Sequence, residues 1–277
     1  MKLSFENITS PILLEGCDEM ASLIRSILCD WGVEVTTSEA APAMTIRKTS
    51  IGYERTAPWL KKPAVFSDAV DATCDLAADL IRLYTNDNKL LCLHAGAVQF
   101  PGGLVIFPDS HRKGKSTLSG LLAYNGHRLF SDDVLPIEKN GHHGEAIGIL
   151  PRVRMPLPQT ISKDFSGYVD DTTVIRNNRY CYFGQCGETA AEKGTLAPIH
   201  AIVMLDRKEG QKTTLEPSKG SDTLARLITQ NFGATVPAPE TLDRLHHIVM
   251  NAETFILHYD EGGNAVPLLQ ERFGRGA

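Results

Sequence analysis

Four kinds of segment follow one another without a gap between residues 90 and 134, and their order constrains this chain more than any other feature. Residues 90–97 (LLCLHAGA) form a short apolar run suited to a buried strand. Residues 98–100, a turn at Gly102 and Gly103, and residues 104–107 (LVIF) predict a hairpin that feeds a second buried strand. A polar loop (PDSHRKGKS) leads into a helix over 116–124, stopped by Gly126 as its C′ residue. Residues 127–131 (HRLFS) predict the next strand, which closes on Asp132 and Asp133. Strands this apolar need cover on both faces, so the order predicts a layered, mixed α/β fold. It also leaves a helix N-terminus at the end of a strand, where backbone N–H groups collect an anion.

The loop supplies the side chains that such an anion needs. Residues 109–117 read DSHRKGKST, the second half of a P-loop. Lys115 would reach the β- and γ-phosphates of a nucleotide, and the Ser116 hydroxyl would coordinate Mg²⁺. Asp109, Ser110, His111, Arg112, Lys113, Gly114 and Thr117 complete the candidate binding segment. In it the Arg112 and Lys113 cations would supplement the backbone amides. A full P-loop has glycine where this chain has Asp109, and a basic loop that simply caps a helix is the alternative.

Asp132 and Asp133 lie 17 and 18 residues after Lys115. In phosphoryl transfer one carboxylate commonly holds the metal while another accepts the proton of the attacking hydroxyl. A solvated strand end is the ordinary reading of such a pair. His94 lies one strand earlier, within LHAGAV, where it could orient or charge-stabilise beside phosphates or be a satisfied structural histidine.

On either side the chain is less specific. Helices are predicted over 18–31 and 67–84, the latter N-capped by Ser67 or Asp68, with strands over 33–37 and 44–49. Residues 1–88 thus make a small α+β unit, a candidate for substrate recognition, ahead of a larger domain over 89–277. Residues 151–158 (PRVRMPLP) are extended, and 159–195, poor in periodic apolar residues, predict a mobile or substrate-facing loop. Strands over 199–205 and 254–259 and helices over 221–232, 240–251 and 265–273 complete the expected order.

Composition narrows the partners. The chain carries 28 basic against 33 acidic residues, a net charge of −5, which argues against a coat for nucleic acid or anionic membrane. No stretch approaches the roughly 20 apolar residues that span a bilayer. The six cysteines show no CxxC pair, so reduced, mostly buried thiols in a cytoplasmic protein are expected.

Taken together, LHAGAV (93–98), the strand and GKST loop (104–117) and GHRLFSDDV (126–134) resemble the catalytic core of the HPr kinase/phosphorylase family, and more narrowly its stand-alone relatives. The resemblance is strong over about residues 90–160. It implies a P-loop fold like that of phosphoenolpyruvate carboxykinase, with a twisted mixed sheet. It further implies ATP and Mg²⁺ as cofactors, and homo-oligomers. Carried over by position, Lys115 is the phosphate-binding lysine, Ser116 the metal-binding hydroxyl and Asp133 the general base. Asp132 is its acidic neighbour at the metal and His94 the active-site histidine. Glu145 falls near a further metal ligand, and Arg152 and Arg154 match a basic, proline-rich stretch that touches phosphate or substrate. Family loops carry glycine where Asp109 and Arg112 stand, which reshapes the phosphate cradle.

The expectation is an ATP- and Mg²⁺-dependent kinase acting on a hydroxyl, a Ser of a peptide or small protein. A nucleotide-sensing or pseudo-kinase module and a small-molecule kinase are the alternatives.

Overall fold

A computed structural model describes residues 1–109, 114–139, 141–232 and 235–274, and its strands fall into three sheets. The first sheet is built from β1 (Lys2–Ser4), β2 (Ile12–Glu15), β3 (Glu34–Thr36), β4 (Met44–Thr49), β5 (Gly52–Thr56) and β6 (Ala64–Phe66). Their order is β3-β1-β2-β4-β5-β6. Helix α1 (Glu19–Ile27) buries Met20, Ala21, Ile24 and Ile27, the stripe expected from its i, i+3, i+4 spacing. Helix α2 (Ala69–Asp87) starts where the Asp68 carboxylate accepts the Asp71 N–H at 2.9 Å. A capping carboxylate of this kind is worth about 1 kcal/mol.

The central sheet begins with β7 (Leu91–Phe100) and β8 (Gly103–Pro108), followed by α3 (Lys115–Tyr124). Next come β9 (Leu129–Ser131), β10 (Val134–Ile137) and β11 (His143–Glu145). A small third sheet holds β12 (Arg152–Arg154), β13 (Thr173–Arg176) and β14 (Tyr180–Phe183), with α4 (Lys163–Asp171) ahead of β13. The chain then returns through β15 (Leu196–Arg207), β16 (Thr214–Pro217), α5 (Gly220–Gln230), α6 (Ala238–Asn251), β17 (Glu253–Tyr259) and α7 (Gly262–Phe273). The central order is β11-β10-β7-β8-β15-β17-β16, with β9 also paired to β7.

Alternation along β7 shows why both faces are covered. Leu91, Leu93, Ala95 and Ala97 join Leu227, Leu245 and Ile248 of α5 and α6 in one apolar cluster. Cys92, Val98 and Phe100 face the other way, into a cluster with Leu118, Leu121 and Leu122 of α3. The two-residue period of a strand thus distributes one apolar run between two layers. His94 belongs by parity to the α3 side.

Strands β8, β15 and β17 are parallel to one another. Their C-terminal ends, Pro108, Arg207 and Tyr259, therefore meet at one rim of the sheet. Residue Ala95 of β7 pairs with Pro108, which brings His94 to the same rim. In open α/β sheets this carboxyl rim is where ligands bind.

The first sheet ends at Phe66 and the central one begins at Leu91, yet a single apolar cluster runs through both, from Leu3 and Trp31 to Phe107 and Tyr259. Trp31 is fully buried, and its indole N–H is shared between the Ile147 and Gly148 carbonyls, each at 2.9 Å.

Two expectations change. Residues 159–195 are not a bare loop: α4 is capped by the Ser162 hydroxyl, which accepts the Phe165 N–H, and Phe165, Val169 and Ile175 are buried. Their spacing is too sparse to stand out of a polar stretch. The thiols are not all reduced either. Cys29 and Cys186 form a disulfide, while Cys17, Cys74, Cys92 and Cys181 are free and buried. Among the described residues, no helix is long and apolar enough to cross a membrane.

Candidate active site

Gly114 forms the hinge between β8 and α3. Its φ of +86° lies in the left-handed region, and a Cβ there would stand 2.9 Å from the Tyr259 hydroxyl. Both facts favour glycine. No side chain caps α3. The first-turn amides of Lys115, Ser116 and Thr117 therefore point out of the helix at the positive end of its dipole. Ser116 and Thr117 are half-buried at that end.

Lys115 is almost fully buried, and its Nζ donates to the Asp109 carbonyl at 2.5 Å and to His94 Nε2 at 2.9 Å. His94 in turn reaches Asp133, with Nδ1 3.2 Å from Oδ1. An ammonium can only donate, so Nε2 accepts and Nδ1 carries the ring proton toward the carboxylate. Burial pushes the Lys115 pKa down, while the charges of Asp133, Asp109 and Asp132 oppose the fall.

Strand pairing is what brings these groups together. Val134 of β10 stands opposite His94 of β7, and the backbone N–H of Ala95 donates to the Asp133 carbonyl at 3.1 Å. The Ser131 hydroxyl accepts the Asp133 N–H at 3.2 Å and donates to the Ala95 carbonyl at 3.0 Å. Asp133 is thereby fixed against β7.

Asp132 is tied to Arg152. Together with Cys74 and Tyr182 the two line a small inner hollow. Burial raises its pKa to about 6, with the Arg152 charge and backbone N–H working against the rise and Asp133 adding to it. The Arg152 guanidinium lies 5.0 Å from the Tyr180 ring centroid and 5.9 Å from that of Tyr182. Arg154, two residues along β12, is exposed.

Glu145 stands apart from this cluster. It lies on β11, whose Gly144 pairs with Ile137, and Ile137 pairs with Leu91 at the far end from His94. Three residues of strand separate the two places, about 10 Å. Its carboxylate instead accepts the Tyr84 hydroxyl. The expected metal set of Ser116, Asp132 and Glu145 is therefore not assembled. Among the described residues, no group of three or more His, Cys, Asp or Glu side chains is placed to hold a metal. Asp132 and Asp133 still suit Mg²⁺, which commonly takes one or two carboxylates and completes its shell with phosphates and water. Burial, the main cause of the raised pKa, disfavours the Asp132 charge, and a cation bound there would offset that cost.

Asp109, expected in the phosphate cradle, turns its carboxylate inward. The residue is fully buried, with Oδ2 accepting the Leu205 N–H at 3.2 Å and Oδ1 facing Arg226 Nη1 at 3.3 Å. These contacts offset the burial of its charge and tie the end of β8 to β15 and α5. Ser110, His111, Arg112 and Lys113 lie outside the described residues.

Sequence reasoning missed Arg226 and Arg207. The Arg207 Nη1 would be 3.8 Å from a Cβ on Gly114, and its Nε donates to the Asp260 carbonyl at 2.7 Å. The available signal was positional: Arg207 and Tyr259 end two apolar strands, and parallel strands carry ligand sites at that end.

Two hollows open at this rim. One, of about 420 Å³, is lined by His94, Asp133 and the end of α5 with Asn231 and the exposed Phe232. The other, of about 230 Å³, lies beside Gly114 and Thr117. Comparison of the chain with protein-family models and with curated proteins finds no match.

Proposed function

We propose that the chain is a kinase of the HPr kinase type, with the corresponding P-loop fold, which transfers a phosphoryl group from a nucleoside triphosphate to a hydroxyl. The observation that carries this reading is the unbroken run from the α3 N-terminus through Lys115 and His94 to Asp133. A phosphate-binding helix end and a carboxylate base are thereby held in one hydrogen-bonded unit. The acceptor is a Ser of a peptide or small protein, since the hollow beside Asp133 is wide and edged by the exposed Phe232.

In this mechanism the amides of Lys115, Ser116 and Thr117 and the Lys115 ammonium bind the β- and γ-phosphates. Asp133 accepts the proton of the attacking hydroxyl at its carboxylate. His94 acts as a positioning residue, holding Asp133 by Nδ1–H and Lys115 by Nε2. Mg²⁺ would be held by Asp132 and Asp133, and would supply charge neutralisation for the phosphates. Arg152 orients Asp132 and offsets part of its charge. A cytoplasmic location and a homo-oligomeric state belong to the same reading.

Lys115→Ala and Asp133→Asn are expected to lower phosphoryl transfer at least about 10³-fold, since each removes a principal catalytic group, with the circular dichroism spectrum unchanged. Full transfer activity in both variants sinks the mechanism. One observation favours a second reading, a nucleotide-sensing module: Lys115 is held by the Asp109 carbonyl as well as by His94. Mg²⁺-dependent nucleotide binding with no turnover on any acceptor peptide would select it.

A further inference from the structure

Asp109 stands where a P-loop carries glycine, and the fold gives its carboxylate a partner 117 residues away. We infer that this partner, Arg226, is a positioning residue for phosphoryl transfer: it holds Asp109, and through the Asp109 carbonyl Lys115, in a fixed place against helix α5. The inference rests on the reading of Lys115 as the phosphate anchor.

The run of contacts is the first argument. Lys115 Nζ donates to the Asp109 carbonyl at 2.5 Å and to His94 Nε2 at 2.9 Å. A lysine ammonium is a point charge on a flexible stem, so its place is set by the acceptors that meet it. One of those acceptors is the backbone of Asp109. The side chain of the same residue accepts the Leu205 N–H at 3.2 Å and faces Arg226 Nη1 at 3.3 Å. A shift of that carboxylate therefore moves an acceptor of the lysine.

Burial is the second. Asp109 is fully buried, while the Arg226 side chain is 39% exposed. A buried carboxylate that loses its cation turns toward water or takes up a proton. Either change reaches Lys115, because the Asp109 charge is among those that oppose the fall of the lysine pKa caused by burial.

The place of α5 is the third. The Thr229 hydroxyl, one turn beyond Arg226, donates to the Arg226 carbonyl at 2.8 Å. Thr229 and Phe232 line the 420 Å³ hollow together with His94 and Asp133. This end of the helix is pinned to β7. The Phe232 N–H donates to the Cys92 carbonyl at 3.3 Å, and Asn231 bridges Leu93, the neighbour of His94. Helix α5 thus meets β7 at its end and the end of β8 through Arg226. One rigid element sets the spacing between the phosphate anchor and the hollow assigned to the acceptor.

Calorimetric titration of the full chain with magnesium tripolyphosphate, a ligand of phosphates alone, tests this. Arg226→Gln should weaken binding by about tenfold, the scale of one charged hydrogen bond. Arg226→Lys, which keeps the charge, should recover most of the loss. Because the effect passes through Lys115, Arg226→Gln should cost nothing further in a Lys115→Ala background. An arginine that only braces the fold, or only attracts the anion, would lower affinity equally in both backgrounds, and that result overturns the inference. Asp109→Asn breaks the same ion pair without leaving a buried charge, and its amide oxygen can still accept the Leu205 N–H. It removes a negative charge beside an anion site, which by itself would tighten binding; looser binding is expected here. Circular dichroism identifies the folded variants. A folded Arg226→Gln that binds like wild type, or an Asp109→Asn that binds as tightly or more tightly, refutes the role of Arg226 and leaves Lys115 as the anchor. If the wild type binds no tripolyphosphate, or Lys115→Ala changes nothing, the phosphate reading falls and the role of Arg226 with it.

Discussion

Asp132 and Asp133 are adjacent in sequence and serve opposite surroundings. Asp133 is held by Ser131 and Ala95 and faces His94, while Asp132 is half-buried and drawn to Arg152. The folded pKa of Asp132, raised to about 6, exceeds its unfolded value. Its contribution to stability is thus fully present below about pH 4 and is lost as pH rises through 6. Asp132→Asn removes this titration. The variant should gain about 1–2 kcal/mol relative to wild type at pH 8, and the gain should vanish toward pH 4. Denaturant melts across that range check the sign; a difference that does not depend on pH counts against a strained carboxylate. A group kept ionised against its own burial is expected where charge has work to do. Sequence alone placed Asp132 and Asp133 at a strand end, but their divergence depends on Arg152, twenty residues away and in another sheet.

At the scale of elements, the β8–α3 connection shows how one fold position accepts different chemistry. The P-loop pattern asks for glycine where Asp109 stands, and here the carboxylate ties that connection to the Leu205 N–H and to Arg226. Restoring the pattern with Asp109→Gly should therefore destabilise the chain, by about 2 kcal/mol, since it orphans a buried N–H and a guanidinium. Thermal denaturation reads the loss, and a stabilised variant would contradict the anchoring role. The turn at Gly114, the start of α3 and the cap at Asp68 were legible, because each depends on neighbours within a turn of helix. The partners of Asp109 were not, since Arg226 lies 117 residues away. Strands β10, β11 and β16 were likewise missed: they are short, and their pairing rather than their own pattern makes them strands. The third sheet was hidden for the same reason.

Across the whole molecule the N-terminal sheet and the central sheet share one apolar core, clasped by Trp31 and by the Cys29–Cys186 disulfide. The bond joins residues 157 apart. Replacing both cysteines by alanine should lower stability by about 2–4 kcal/mol, measured by guanidinium melts without reductant. Mass spectrometry of alkylated protein checks the bond itself, and two alkylated thiols at 29 and 186 would refute it. Disulfides are rare in reducing compartments, so the same measurement bears on the proposed cytoplasmic setting.

The two hollows at the carboxyl rim share no lining residue. His94 and Asp133 line the wider one, and Gly114 and Thr117, the neighbours of Lys115 at the start of α3, line the other. If the proposed function holds, each substrate would have its own doorway. On the proposed kinase reading, the one that gives and the one that receives could be in residence together, and neither would have to leave before the other arrives.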